Sequence, residues 1–227
     1  MALSNLNTYR NIVFCRPGDK SWTFIDLPFK KYSHIADIIH FKDQLFYAVS
    51  DCGLILHTYD LADLSSPKSY HVKNSFKCEP LPLFEGFPTR QCEQRYYLVE
   101  SLGDLLWVCR HVTKYWNGTC CGTFPDRTIT FEVCRLNFSQ NTWECTKCIG
   151  THVLFLGTNQ SLSLPAWDFS SLKANCIYLT DDSCKTYQLY PPYGLHDFGH
   201  YKLGRVTFCE FKFAHHPEGF WVMRNFH

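Results

Sequence analysis

The 227-residue sequence predicts an all-β protein built from repeated antiparallel hairpins. A strand, a glycine turn and a second strand occur twice at an offset of 50 residues, from Tyr47 to Gly53 and from Tyr97 to Gly103. The aromatic content of 17% favours strands, and helical signals are weak. A repeat of this length and content is typical of the blades of a β-propeller.

The strands can be assigned in order along the chain. Hairpins are predicted for residues 11–25, 47–59, 97–109, 131–145 and 208–223, with further strands at 153–157 and 176–180 and a short helix or turn at 168–174. Three hairpins carry a tryptophan early in their second strand, at positions 22, 143 and 221. We predict that these alternate with the two tyrosine hairpins and that two hairpins form one four-stranded blade.

This pattern predicts a single propeller-type domain over residues 1–227, with about four blades and therefore an incomplete ring. No obvious linker divides the chain. The segments 62–94 and 112–128 lack clean periodicity and contain several Pro and Gly residues. We interpret them as long connections between strands, where binding surface is usually found.

Composition excludes several classes of protein. The net charge of +1 leaves no electrostatic footprint for nucleic acid. No run of 18 apolar residues is present, which excludes a helical membrane span. The first residues lack the basic start and apolar stretch of a secretion signal. We therefore expect an intracellular protein, cytoplasmic or nuclear, that binds neither nucleic acid nor membrane.

The thirteen cysteines do not predict a disulfide framework, because their number is odd and no secretion signal precedes them. Cys145 and Cys148 form a CxxC pair, and Cys120 and Cys121 lie upstream. A four-thiolate zinc site normally needs two such pairs. We expect most cysteines to be small buried side chains, and we expect no metal and no cofactor. The role of the Cys145/Cys148 pair is left open.

Motifs for catalysis are absent, since the sequence has no GxSxG, HExxH, P-loop or GxGxxG. The pairs His215-His216 and Asp181-Asp182 occur in turns, where such residues are usually structural or solvated. His40, His57 and His71 lie in or beside strands and are expected to be packed or solvent-facing. We therefore predict no catalytic residue and a non-enzymatic binding module.

Two aromatic-rich connections are the candidate binding loops. They contain Tyr115 and Trp116 in one segment, and Tyr190 and Tyr193 in the other. Aromatic side chains in loops can anchor a protein partner. They can equally cover an exposed sheet edge.

Six motifs in order resemble a known family. They are the stretches 38–49 with Cys52-Gly53, 97–106, 131–136, Trp143, 154–157 and 175–182. Over about residues 22–203 they resemble the plant F-box-associated domain of long-unknown function, the KIB-type β-propeller. The resemblance implies the substrate-recognition part of an SCF ubiquitin ligase, with a protein substrate that in some members is a kinase.

Members of that family typically carry an F-box ahead of the propeller. This chain begins directly in strand-like sequence, so we expect it to contain no F-box and to bind the SCF adaptor only if an F-box lies upstream. The sequence is also compatible with two alternative functions. One is a propeller-based hydrolase or lyase with a site on the central channel, and the other is a lectin-like sugar binder.

Overall fold

A computed structural model of the chain describes residues 2–5, 11–15, 18–26, 35–42, 45–51, 53, 56–60, 91–114, 127–157, 160–180, 197, 199–204 and 208–210. The strands there are β1 (Ala2–Asn5), β2 (Asn11–Cys15), β3 (Thr23–Asp26), β4 (Ile35–His40), β5 (Leu45–Ser50), β6 (Leu56–Asp60), β7 (Gln91–Ser101), β8 (Asp104–Lys114), β9 (Arg127–Asn137), β10 (Thr142–Thr146), β11 (His152–Leu156), β12 (Leu162–Pro165), β13 (Cys176–Leu179), β14 (Gly199–Lys202) and β15 (Phe208–Glu210). The all-β prediction is confirmed.

The chain divides into two compact units, Met1–Val72 and Lys73–His227. The first unit contains two three-stranded antiparallel sheets, in the orders β1-β2-β3 and β4-β5-β6. The second contains a four-stranded antiparallel sheet, β10-β9-β8-β7, and a five-stranded sheet, β12-β11-β13-β14-β15, in which β11 and β13 are parallel. The prediction of one domain over residues 1–227 stays a prediction.

Both tyrosine hairpins form as the repeat predicts. Val49 pairs with Leu56 in the β5–β6 hairpin, and Val99 pairs with Leu106 in the β7–β8 hairpin, so the register is conserved across the 50-residue offset. The repeated glycine has a positive φ in both turns, 68° at Gly53 and 78° at Gly103. Glycine adopts this backbone without steric cost, which explains why it follows the first strand of each hairpin.

The tyrosine and tryptophan hairpins combine differently in the two units. In the second unit, β7–β8 and β9–β10 join through β8 and β9 into the predicted four-stranded meander. In the first unit, the hairpin β2–β3 and the hairpin β5–β6 belong to separate sheets. There β1 pairs with β2 and β4 pairs with β5, so each hairpin is completed to a three-stranded sheet by a separate strand.

The long connections and the short helix differ from their predicted bounds. The strands β7 and β8 are 11 residues each, so they take up the ends of the segments predicted as connections. The short helix is a single 3-10 turn at Ala166–Asp168, earlier than expected, because Pro165 precedes it and Phe169 already returns to extended backbone with a φ of −139°. No helix in the described ranges is long and apolar enough to span a membrane.

The core of the second unit lies between its two sheets. Alternate residues of β7, β8, β9, β11 and β13 point into it, as the two-residue period of a strand requires. Its buried members are Tyr97, Val99, Leu106, Val108, Phe131, Val133, Ile149, Leu154, Leu156, Ile177, Leu179, Tyr201 and Leu203. The intervening residues of β11 and β13, among them Phe155 and Tyr178, bury the opposite face of the five-stranded sheet. That sheet is therefore apolar on both faces, which explains its continuous hydrophobic runs.

Candidate functional site

The predicted binding residues Tyr115, Trp116, Tyr190 and Tyr193 lie outside the described residues, and their role stays a prediction. The same holds for Asp181-Asp182, His71 and His215-His216. What the described residues do present is one end of the four-stranded sheet, where the β7–β8 and β9–β10 turns lie side by side. We call this end, with Leu102 and Phe138 at its turns, the hairpin-tip surface.

The β7–β8 turn presents an exposed leucine in an unfavourable backbone conformation. Ser101 pairs with Asp104, so the loop has two residues, Leu102 and Gly103, with φ of 55° and 78°. Positive φ at both positions is the signature of a type I′ turn, which favours Asn-Gly. A leucine with φ above zero is strained, and Leu102 is also 68% exposed. Strain of this kind concentrates at functional positions.

The β9–β10 turn holds Phe138 in place through polar contacts. The Asn137 Oδ1 atom accepts hydrogen bonds from the backbone amides of Ser139 and Gln140, both at 3.1 Å, and from the Ser139 hydroxyl at 2.7 Å. The Asn137 side-chain amide donates to Glu144 across the hairpin at 2.6 Å. The turn conformation therefore does not depend on burying Phe138, whose side chain is 48% exposed.

Contacts between neighbouring strands tie the two turns together. An ion pair joins Arg135 Nε of β9 to Asp104 Oδ2 at the start of β8, at 3.0 Å. The Ser101 hydroxyl lies 2.8 Å from the Ser163 hydroxyl of β12, which links the β7–β8 turn to the five-stranded sheet. The hairpin-tip surface is thus a braced end that exposes two large apolar side chains.

A group of side chains with metal-ligating atoms lies on the face of the four-stranded sheet that points away from the core. Cys109 and His111 alternate along β8, and Glu132 of β9 pairs with Cys109. The His111 Nε2 atom is 3.6 Å from the Cys109 sulfur and 3.5 Å from a Glu132 carboxylate oxygen. All three donor atoms lie within 4.8 Å of one another.

The chemistry of this group follows from its geometry. Sulfur, imidazole and carboxylate are donors that zinc accepts, and their separations allow them to hold one ion. The thiol and the carboxylate approach the same imidazole nitrogen. A nucleophile–base–acid relay needs the two ring nitrogens to contact different partners, so this group is not arranged as a catalytic triad. The expectation of no bound metal stays a prediction.

The residue spacing alone does not predict this group. Cys109 and His111 share a C-x-H spacing that fits one face of a strand. Glu132 joins them only because β8 and β9 pair in that register. The register is interrupted by a bulge after His111, and bulges often re-aim side chains. Such a register cannot be read from residue spacing.

The two cysteines of the CxxC motif have different neighbours in the structure. Cys145 lies opposite Cys134 on the neighbouring strand, and the two sulfurs are 2.7 Å apart. The Cys148 sulfur instead accepts a hydrogen bond from the backbone amide of Gly150 at 3.3 Å. Burial raises the pKa of the Cys134 thiol, and the neighbouring Cys145 and Glu132 raise it further.

Two of the histidines considered from sequence are described. His57 is buried, and its ring stacks on Tyr59 with centroids 6.2 Å apart. His40 is exposed, and its ring lies 4.9 Å from that of Phe46. The expectation that these histidines are packed or solvent-facing is confirmed for both positions.

The fold defines an all-β protein of the propeller class. The family model described as KIB1-4 beta-propeller matches residues 1–202. The chain therefore belongs to the KIB1-4 β-propeller family. The match begins earlier than the resemblance deduced from the motifs, which started near Trp22.

A curated relative is a plant protein from Arabidopsis thaliana that carries the name "Putative F-box protein". It is 30% identical over 176 residues, which cover 77% of this chain and 42% of the relative. The chain thus matches less than half the length of that relative. No solved structure gives a significant match.

Proposed function

We propose that this chain is a protein-binding module that recognises a substrate for a plant SCF ubiquitin ligase, with no catalytic activity of its own. Membership of the KIB1-4 family and the name of the F-box relative support this class of function. The observation that carries the proposal in the structure is Leu102, which is strained and 68% exposed at a braced hairpin end.

A type I′ turn favours asparagine at the position that Leu102 occupies. Isolated apolar residues at a surface are ordinary, but a leucine at positive φ costs stability that asparagine would not. Phe138 adds a second large apolar side chain on the neighbouring turn. A partner that covers both side chains would gain the burial of a leucine and a phenylalanine, about 1.5–3 kcal/mol each when fully buried.

The test uses variants that change the apolar side chains but keep the turns. Leu102→Asn supplies the residue that a type I′ turn favours, and Phe138→Ser replaces an exposed ring. Gln140→Ala is the matched control, because Gln140 is an exposed polar residue in the same turn as Phe138. Proteins that associate with each form in plant cells are identified by proximity labelling, and the affinity of a purified candidate is then measured.

We expect a partner whose Kd rises at least tenfold with Leu102→Asn or Phe138→Ser and is unchanged with Gln140→Ala. A partner that binds all four proteins equally would refute the role of this surface. The candidate loops at Tyr115, Trp116, Tyr190 and Tyr193 are tested in the same assay by single alanine variants.

Binding of the SCF adaptor is tested separately from binding of the substrate. We expect these 227 residues alone not to bind the SCF adaptor, because adaptor binding in this class uses the F-box. Joining an F-box upstream should restore adaptor binding and permit ubiquitination of the partner identified above. Tight binding of the adaptor by the present chain would contradict this division of roles.

A further inference from the structure

The two cysteines that face each other across the β9–β10 hairpin form a site that protein binding does not explain. Cys134 and Cys145 are partners in an antiparallel register, with their sulfurs 2.7 Å apart. Directly opposite residues of such a pair have Cα atoms about 4.5–5.5 Å apart. Disulfides span Cα separations of about 4.4–6.8 Å, so the two thiols can be joined without any change of register.

The two thiols differ in their exposure to solvent. Cys134 is completely buried, and Cys145 is exposed on β10, which is the edge strand of its sheet in the described residues. An oxidant in solution therefore meets Cys145 first. Cys134 is shielded from solutes but lies in contact with the Cys145 sulfur.

We propose that Cys134 and Cys145 are a redox-active pair, oxidised to a disulfide by hydrogen peroxide or by glutathione disulfide and reopened by a dithiol reductant. With peroxide, the Cys145 sulfur takes one oxygen to become a sulfenic acid and one water leaves. The Cys134 sulfur then attacks the Cys145 sulfur, and the hydroxyl group departs as a second water with the proton of Cys134. Two thiols and one peroxide thus yield one disulfide and two waters.

With glutathione disulfide the same bond forms by exchange. The Cys145 thiolate attacks the disulfide, releases one glutathione and forms a mixed disulfide, which Cys134 then resolves with release of the second glutathione. The proximity of the buried thiol favours this second step over attack by free glutathione. The product would fasten β10 to β9 on either side of the turn that presents Phe138.

Two other cysteines are the rival partners. Cys148 is the CxxC neighbour of Cys145 in sequence, and Cys109 of β8 lies close enough to Cys134 to affect the pKa of its thiol. Trypsin separates all four cysteines, because Arg110, Arg135 and Lys147 divide them. Cys109, Cys134, Cys145 and Cys148 fall on the peptides 96–110, 128–135, 136–147 and 148–173.

The experiment is a peptide map of the folded, reduced chain after oxidation. The protein is treated with hydrogen peroxide, or separately with glutathione disulfide, in the presence of a metal chelator, then alkylated, unfolded and digested with trypsin without reductant. We expect the main linked species to join peptides 128–135 and 136–147 and to disappear after dithiothreitol. A sample oxidised while unfolded should instead show mixed pairs.

Single cysteine variants test which thiol forms the disulfide. Cys145→Ser should abolish the linked species, whereas the matched control Cys148→Ser should leave it unchanged. A main link between 136–147 and 148–173, or between 96–110 and 128–135, would overturn the proposal. So would oxidation of Cys145 beyond the sulfenic state while Cys134 remains available to the alkylating reagent after unfolding. If a variant fails to fold, the peptide map of the unaltered chain still shows which two cysteines are linked.

Discussion

Arg110 and Asp197 form an ion pair in which neither side chain is exposed to solvent. The same Asp197 oxygen accepts hydrogen bonds from the backbone amide and hydroxyl of Thr128, at 2.7 Å and 2.6 Å. Arg110 also donates to the Thr128 hydroxyl at 2.7 Å and to the Tyr97 hydroxyl at 3.4 Å. Because Asp197 immediately precedes the β14 region, these contacts connect the two sheets of the second unit.

Removing one partner of this ion pair should be strongly destabilising. Arg110→Met leaves the Asp197 charge buried without its cation, and we expect the free energy of unfolding to fall by about 3–5 kcal/mol. The double variant Arg110→Met/Asp197→Leu should recover much of that loss, since no buried charge remains. Urea denaturation measures both. A single variant that loses less than about 1 kcal/mol would contradict the model of a buried pair.

The strain at Leu102 predicts an unusual stabilising substitution. Leu102→Asn should raise the free energy of unfolding by up to about 1 kcal/mol, because asparagine tolerates positive φ. Gly103→Ala provides the opposite case: a Cβ there would meet no atom within 4 Å, yet the φ of 78° disfavours alanine. We expect a loss of about 1 kcal/mol from Gly103→Ala. Thermal denaturation of both variants checks the signs.

Asn175 combines a backbone role with a side-chain role. Its φ is 60°, and its side chain accepts a hydrogen bond from the Ile149 amide at 2.8 Å and donates to the Leu203 carbonyl at 3.3 Å. Asn175→Gly keeps the conformation but loses the hydrogen bonds, and should cost about 1–3 kcal/mol. Asn175→Ala loses the hydrogen bonds and also disfavours the positive φ, so it should cost about 1 kcal/mol more than Asn175→Gly. Equal losses in urea denaturation would show that the backbone contributes nothing.

Stability should depend on pH through His200. Burial, with a smaller effect of Lys173, lowers the pKa of this imidazole below 6.5, and the ring stacks on Tyr178 at 5.6 Å. As the pH falls below 6.5, the unfolded chain therefore takes up a proton before the folded chain does. Well above pH 6.5 the imidazole is neutral in both states, and His200 does not reduce the free energy of unfolding. Between pH 6.5 and the lower pKa of the folded state, protonation of the unfolded chain reduces the free energy of unfolding as the pH falls.

The corresponding variant is His200→Phe, which keeps an aromatic ring beside Tyr178 and removes the titrating group. The stability lost by the variant on going from about pH 8 to below the ordinary histidine pKa of about 6.5 should be smaller than for the unaltered chain. The comparison at about pH 8, where the imidazole is neutral in both states, isolates the effect of packing. Identical pH profiles would show that His200 does not contribute.

Local sequence was sufficient for the hairpins. Tyr47 and Tyr97 at a 50-residue offset predicted two equivalent hairpins, and the registers Val49–Leu56 and Val99–Leu106 confirm them. This succeeded because a hairpin joins neighbours in the chain, and its turn glycine is visible in the sequence. The pairing of hairpins into sheets was only partly predictable, since β1 and β4 take up edges that the hairpin pattern leaves open.

The candidate sites were much less predictable. A leucine before a glycine carries no signal in the sequence, and Leu102 stands out only by its positive φ and its exposed side chain. Cys145 was grouped with Cys148 by the CxxC spacing, whereas the structure places it opposite Cys134. Glu132 had no sequence signal at all, and it meets His111 only through the pairing of β8 with β9.

By itself, the sequence determined the all-β class, the repeated hairpins and the family resemblance, because alternating hydrophobicity and turn residues act over a few neighbouring positions. The tertiary structure decided which strands share a sheet, which thiols face each other and how Arg110 reaches Asp197. Those relationships depend on register and on packing between segments 11 to 87 residues apart. A shift of one residue in register would turn every one of these side chains to the other face of its sheet.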